Sequence, residues 1–267
     1  TITDGTNTAT QAITITVTDE NDNTPALTVA TPYSVVEGNT TVGTVTASDA
    51  DAGTTITFSL TGTDALDFAI NSSTGAITFA ATPDFEAAAD ADTNNAYSLN
   101  VVASDGTNSD TEAIIVNVTN ENDNTPAFTS DSSFSIAEGT DSVATLAGSD
   151  ADGTTPTFST TLAGTDAADF TLTSGGVLAF AATPDFEAAA DADTNNVYSI
   201  TATITDGTNT ATQAITITVT NENDNTPAFT SDSSFSIAEG TDSVATLAGS
   251  DADGTTPTFS TTLAGDD

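Results

Sequence analysis

Residues 13–18 read ITITVT, and the same six letters stand at 215–220. Ile13, Ile15 and Val17 alternate with Thr14, Thr16 and Thr18, the period of two that sends successive side chains to opposite faces of an extended chain. One face is expected to be buried and the other wet, and threonine suits an exposed strand face. Tyr97, Leu99 and Val101 follow the same rule, as do Ile200, Ala202 and Ile204. Further apolar runs at 33–36, 42–47, 56–60 and 76–79 are separated by Gly, Asp, Asn, Ser and Thr, residues that favour turns through free backbone angles or short polar side chains. Phe58, Leu60, Phe68 and Phe79 are the expected core. About seven short strands per repeat predict an all-β sandwich.

A longer period organises these strands. The string ENDNTPA begins at Glu20, Glu121 and Glu222, a spacing of 101 residues twice over, which is the size of a domain and not of a solenoid turn. Residues 1–18 repeat 203–220 letter for letter, and 122–164 return as 223–265. Boundaries at the NDN/TP step give the C-terminal part of a repeat at 1–23, complete repeats at 24–124 and 125–225, and the N-terminal part of a repeat at 226–267. The chain reads as a window on a longer array.

Composition narrows the chemistry. The 267 residues hold 39 Asp and Glu, no Lys, Arg or His, and no Cys, Met or Trp, for a net charge of −39. With no internal cation to balance that charge, counterions are part of the design. Acidity of this degree is also a mark of disorder, but a solvated acidic tail lacks the regular apolar alternation seen here. Nucleic acid and anionic membranes need Lys or Arg to meet phosphate, so neither is an expected partner. No 18-residue apolar run is present, so no membrane insertion is expected of this segment. Disulfides are excluded, as is Ser-His-Asp, Cys-His or lysine catalysis. Paired carboxylates are the one catalytic device left, and the recurrence of the pairs favours another use. The chain is not expected to be an enzyme.

The acids fall in compact strings: SDAD at 48–51, PDFE at 83–86, ASDG at 103–106 and NENDN at 120–124, each returning or nearly returning 101 residues later. Calcium takes about six to eight oxygen ligands from carboxylates, amides and carbonyls. Asp-x-Asp on an extended segment turns Asp49 and Asp51 to one side. Each string alone reads equally well as turn chemistry; the ordered set without any cationic partner points to metal. The string DADTNN at 90–95 and 191–196 opens like a calcium loop but lacks its glycine and distal glutamate.

In order, Glu in VVEG, Asp-x-Asp, Asp-x-Glu, Ala-x-Asp and x-x-Asn-Asp-Asn-x-Pro resemble the cadherin repeat over the whole chain. Near-identical copies with few bulky residues look most like the bacterial cadherin-like repeats of large surface adhesins. The resemblance implies tandem Greek-key seven-stranded β-sandwiches of cadherin or immunoglobulin-like kind, with about three calcium ions at each joint. At the joint near residue 124 it implies ligands Glu37, Asp84, Glu86, Asn120, Asn122, Asp123 and Asn124, Glu121 through its carbonyl, and Asp150, Asp152 and Asp206 from the next repeat. The seven carboxylates in that set carry −7, close to the charge of about three calcium ions. The following joint takes Glu138, Asp185, Glu187, Asn221, Asn223, Asp224 and Asn225, Glu222 through its carbonyl, then Asp251 and Asp253. The earliest joint takes Asp19, Asn21, Asp22 and Asn23, Glu20 through its carbonyl, and Asp49, Asp51 and Asp105. Asn120 and Asn221 stand where Asp19 stands in the first copy, with one charge fewer. The missing Trp leaves strand-exchange adhesion unsupported.

The expected role is a calcium-rigidified extracellular stalk or filament of a cell-surface or matrix protein, partnered by calcium, by neighbouring repeats and by like chains. The alternative is a direct calcium-dependent adhesion module that binds a protein or glycan.

Overall fold

Alternating apolar side chains form strands only where neighbouring strands take up their hydrogen bonds and cover their buried face. The structure, a computed structural model, describes residues 1–261. It divides into two compact units, Thr1–Glu121 and Asn122–Asp267.

In the first unit, Tyr33–Val36, Ser109–Thr119, Ala96–Ser104 and Thr57–Thr61 lie side by side in that order. Tyr33–Val36 runs parallel to Ser109–Thr119, and the other neighbours are antiparallel. Facing them are Thr41–Thr44, Ala76–Phe79 and Phe68–Ile70, with Ala26–Thr28 paired to Thr46–Ser48. Val35, Phe58, Leu99, Val101, Ile114 and Val116 come from the first layer; Phe68, Ile77 and Phe79 come from the second. Each fully buried aliphatic or aromatic side chain contributes about 2 kcal/mol. The rings of Phe68, Phe79 and Tyr97 close one end of the core, with the tyrosine edge-on to both phenylalanines at 5.4 and 5.3 Å between centroids.

The second unit repeats this plan. Ser133–Ala137, Thr210–Thr220, Val197–Thr205 and Thr157–Phe158 form one sheet, and Ser142–Thr145, Val177–Phe180 and Phe170–Leu172 form the other. Phe170, Phe180 and Tyr198 reproduce the ring cluster. The expected alternation is present: Tyr198, Ile200, Ala202 and Ile204 are buried while Ser199 is exposed.

The seven expected strands appear as nine segments in residues 24–124. The first is divided into Ala26–Thr28 and Tyr33–Val36, one half in each layer, and the second is interrupted at the buried Val45. Gly75 accounts for part of that interruption. Its φ is +72° and its carbonyl accepts the Val45 N–H, while a Cβ on it would lie 2.3 Å from the Val45 carbonyl oxygen. Gly176 has the same relation to Leu146.

One expectation is corrected. Ile13, Ile15 and Val17 are in no strand and stand 80–90% exposed. Their counterparts Ile215, Ile217 and Val219 are core residues because Thr210–Thr220 has a strand on each side. Residues 11–19 have no such neighbour among the described residues. At the other end, among the described residues Ala228–Phe229 pairs only with Gly249–Ser250, and Phe229, Phe235, Ile237 and Val244 remain exposed.

Candidate metal centre

The glutamate that follows the first strand is fixed before any ligand is considered. Glu138, 7% exposed, accepts the Phe186 N–H on Oε2 at 2.7 Å and the Glu222 N–H on Oε1 at 2.6 Å. It thereby ties the DFE loop and the linker to the end of Ser133–Ala137. Glu37 does the same in the first unit with Phe85 and Glu121, at 2.6 and 2.7 Å. A buried carboxylate held by two amides makes strong, charge-assisted bonds, and its remaining lone pairs stay available as ligands.

Around Glu138 the second unit brings together Glu187, Asp224 and Asp253, each offering a carboxylate oxygen, all within 4.8 Å of one another. Burial holds the Glu187 carboxyl above its usual range, with Glu138, Asp253 and Asp185 adding repulsion. Burial followed by Glu138, Asp253 and Asp185 does the same to Asp224. A third acid nearby goes the other way: the Asn225 side chain holds Asp253 below its usual range.

The first unit holds a second group, Asp49, Asp51 and Asp105, again within 4.8 Å. The Asp-x-Asp turn is built by Asp49 Oδ1, which accepts the Asp51 N–H at 2.8 Å. Asp105 Oδ1 accepts the N–H groups of Thr107 and Asn108, both at 2.6 Å. Asp49 Oδ2 is buried without a hydrogen-bond partner, and so is Asp150 Oδ2 at the matching place in the next repeat. A buried, unsatisfied carboxylate oxygen is costly unless a cation or proton completes it. The clustered donors are carboxylate oxygens with no nitrogen or sulfur ligand among them, the kind a hard cation such as calcium takes.

Not every expected ligand joins these two groups. Asp84 and Asp185 stand outside them, each accepting the N–H of Ala87 or Ala188 at 2.9 Å and so closing the turn after DFE. Asp19 Oδ2 accepts the Ala52 N–H at 2.6 Å. Asn120 and Asn221, read from sequence as oxygen ligands, donate their amide nitrogens to Glu86 Oε1 at 2.9 Å and Glu187 Oε1 at 2.7 Å. Asn21 and Asn122 donate to the hydroxyls of Thr107 and Thr208. In the second unit Asp206 accepts Thr208 and Asn209 N–H groups at 2.6 and 2.7 Å, as its counterpart Asp105 does.

Sequence reasoning missed two sets of residues. Asn108 and Asn209 donate to the carbonyls of Asn23 and Asn124 at 2.9 and 2.8 Å and so position the linker; the recurring DGTN string was the available signal. Asp64 and Asp166, both 5% exposed, each bind two backbone N–H groups, of Ala91 and Ser98 and of Ala192 and Ser199. The string GTDA, at 62–65 and again at 164–167, marks them. They secure the DADTNN loops, where Asp90 spends both oxygens on the Asn94 and Asn95 N–H groups. Those loops are hydrogen-bonded turns, and they supply no group of three clustered acids among the described residues.

Residues 31–119 match the family model of the cadherin domain. The chain is 36% identical over 153 residues to Cadherin EGF LAG seven-pass G-type receptor 1 of Homo sapiens, covering 53% of this chain and 5% of the receptor. It thus spans a small fraction of that relative's length. Mouse Cadherin-23 EC22-24 superposes with a TM-score of 0.63 at 22% identity, covering 86% of this chain and 78% of that one. Protocadherin gammaB7 EC3-6, solved as a cis-dimer, gives 0.68 at 20% identity, covering 88% and 62%. Identity at that level speaks for the fold alone. The curated relatives are animal proteins, which lends no support to a specifically bacterial affinity. Residues 31–119 thus match the cadherin domain, and the fold of the chain is a run of cadherin-like β-sandwich repeats.

Proposed function

We propose that this segment is a calcium-rigidified structural and adhesive element, a stalk or filament of a cell-surface or matrix protein, with mechanical rather than catalytic work. One observation carries the reading: Glu138, Glu187, Asp224 and Asp253 converge within 4.8 Å in a chain that has no Lys, Arg or His to neutralise them. Carboxylates this close repel, and that repulsion adds to the desolvation that chiefly raises the protonation range of Glu187 and Asp224. Calcium cancels that repulsion and coordinates groups on both sides of the linker.

The 101-residue period extends the scheme to Glu37, Asp84, Glu86 and residues 120–124, with Asp150, Asp152 and Asp206, and assigns the complete repeats to 24–124 and 125–225. Within this scheme Glu138 and Glu187 hold the end of one repeat, Asp224 sits in the linker, and Asp253 stands at the start of the next. Binding fixes the angle between them. Extracellular calcium modules bind with constants of about 10⁻⁴ to 10⁻³ M, so the stem is stiff outside the cell and slack in chelator.

Calorimetry of the full chain titrated with calcium, paired with small-angle scattering, tests this. Binding in that range is expected to accompany a narrower distribution of end-to-end distances. Asp224→Ala should weaken one class of sites by about tenfold or more. Absence of binding heat, or scattering indifferent to calcium, overturns the proposal.

A further inference from the structure

Three asparagines stand in Asn-x-Ser/Thr triplets, all within residues 24–124: Asn39 before Thr40 and Thr41, Asn71 before Ser72 and Ser73, and Asn117 before Val118 and Thr119. Residues 125–225 hold none. The triplet is the acceptor for N-linked glycan in secreted chains. In so threonine-rich a chain it also arises by chance, and the surroundings of the three side chains decide between them.

Asn71 opens the turn between Phe68–Ile70 and Ala76–Phe79. Its backbone N–H donates to the Ala76 carbonyl at 2.8 Å, and its carbonyl accepts the Gly75 N–H at 2.9 Å. Its Oδ1 accepts the N–H groups of Ser73 and Thr74, both at 3.0 Å. These bonds occupy every polar group of the residue except Nδ2, which donates to nothing among the described residues. Asn71, Ser72, Ser73 and Thr74 are all exposed. With the oxygen end of the amide held over the turn, the nitrogen end is left to solvent.

The other two triplets are placed differently. Asn39 is exposed, but its Nδ2 donates to the Val36 carbonyl at 3.3 Å. Asn117 is half-buried within Ser109–Thr119, paired with Ser34 on one side and Ala96 on the other. The hairpin itself does not require asparagine. In the second repeat Thr173 opens the matching turn, and its hydroxyl accepts the Val177 N–H at 3.0 Å.

We propose that Asn71 is the site of an N-linked glycan, an inference that rests on the cell-surface or matrix role proposed above. The donor is an oligosaccharide carried on a polyprenyl diphosphate. In the transfer the bond from the first sugar's anomeric carbon to the diphosphate breaks and a bond from that carbon to Nδ2 forms. Nδ2 gives one of its two protons to a base of the transferase, and the polyprenyl diphosphate departs. No hydrogen bond of the turn is lost, because Nδ2 takes part in none of them. Phe68–Ile70 is the edge strand of its three-stranded sheet, and a bulky hydrated group at its end hinders pairing with a strand of another chain.

The test is secretion of the full chain from animal cells, followed by peptide mapping with proteases that cut at aspartate or glutamate, since the chain has no Lys or Arg for trypsin. An amidase that removes the glycan and leaves aspartate in place of the linked asparagine marks the position. Asn71 is expected to carry glycan in most molecules, and in a larger share than Asn39 or Asn117. Asn71→Gln and Ser73→Ala should each abolish it. Ser73 serves the turn through its backbone N–H, so Ser73→Ala removes the acceptor triplet and keeps the fold; its thermal unfolding should match that of the native chain after deglycosylation. A secreted chain bare at Asn71, one with Asn71 occupied in no larger share than the other two, or glycan kept at Asn71 in Ser73→Ala overturns the assignment. Calcium calorimetry on the same preparations keeps the two readings apart: a bare chain that binds calcium sinks the glycan alone, and a glycosylated chain that binds none sinks the calcium reading alone.

Discussion

Residues 1–18 and 203–220 are the same eighteen letters in two settings. In the later copy Val197–Thr205 and Thr210–Thr220 form a long antiparallel pair, and Ile215, Ile217 and Val219 are at most 1% exposed. In the earlier copy only Ile2–Thr3 and Thr8–Ala9 pair, and Ile13, Ile15 and Val17 are 80–90% exposed. What the two share is the turn. Asp4 Oδ1 accepts the N–H groups of Thr6 and Asn7 at 2.8 and 2.7 Å, as Asp206 does with Thr208 and Asn209. The Asp-Gly-Thr-Asn turn is thus encoded within four residues, whereas the strands beyond it depend on neighbours that cover them.

Ile217→Ala against Ile15→Ala is the sharpest way to break this comparison. The first should cost about 3 kcal/mol through lost burial and a residual cavity, and the second less than about 0.5 kcal/mol, read from denaturant unfolding of the full chain. Equal losses would mean that the earlier copy is packed after all. Next comes a pair of glycines. Gly176 and Gly240 both have positive φ, but a Cβ on Gly176 would lie 2.3 Å from the Leu146 carbonyl oxygen, and one on Gly240 would meet nothing within 4 Å. Gly240→Ala should cost about 1 kcal/mol, the conformational penalty alone, and Gly176→Ala clearly more. Thermal unfolding ranks them.

The smallest effect sharpens what the copies share. Hydrogen bonds from the Asn7 and Thr6 N–H groups hold the Asp4 carboxyl below its ordinary value of 3.8. A lowered pKa in the folded turn means its contribution is present above pH 3.8 and is lost as pH falls through the lower, folded value. The Thr6 and Asn7 amide shifts should therefore titrate with a midpoint below 3.8 even though no core surrounds them. A midpoint at or above 3.8 would show that the turn is not formed on its own.

The same contrast explains what could be read from the letters. Alternation at Tyr198, Ile200, Ala202 and Ile204 was legible because a buried face imposes a period of two on any strand. The fate of Ile15 was not, since the pattern records a preference for cover and not its presence. The four acids Glu138, Glu187, Asp224 and Asp253 were legible as a ligand set from motif order, and the structure brings them together. The amide roles of Asn221 and Asn225 were hidden because asparagine is donor and acceptor at once, and only geometry says which end faces the acids. Asp64 and Asp166 were invisible for a related reason: aspartate between threonine and alanine reads as a turn, and nothing local announces that it binds the amides of a loop 27 residues on in one repeat and 26 in the other.

The parallel pairing of each repeat's first-layer opening strand with its last strand has a mechanical consequence. Tyr33–Val36 lies along Val116–Thr119, and Ser133–Ala137 along Thr216–Thr220, each pair pointing the same way. Tension drawn through the backbone at the two termini of a repeat pulls these strands in opposite senses along their length. Their hydrogen bonds are then loaded together in shear instead of being unzipped one at a time, so the sandwich resists extension with the whole ladder at once.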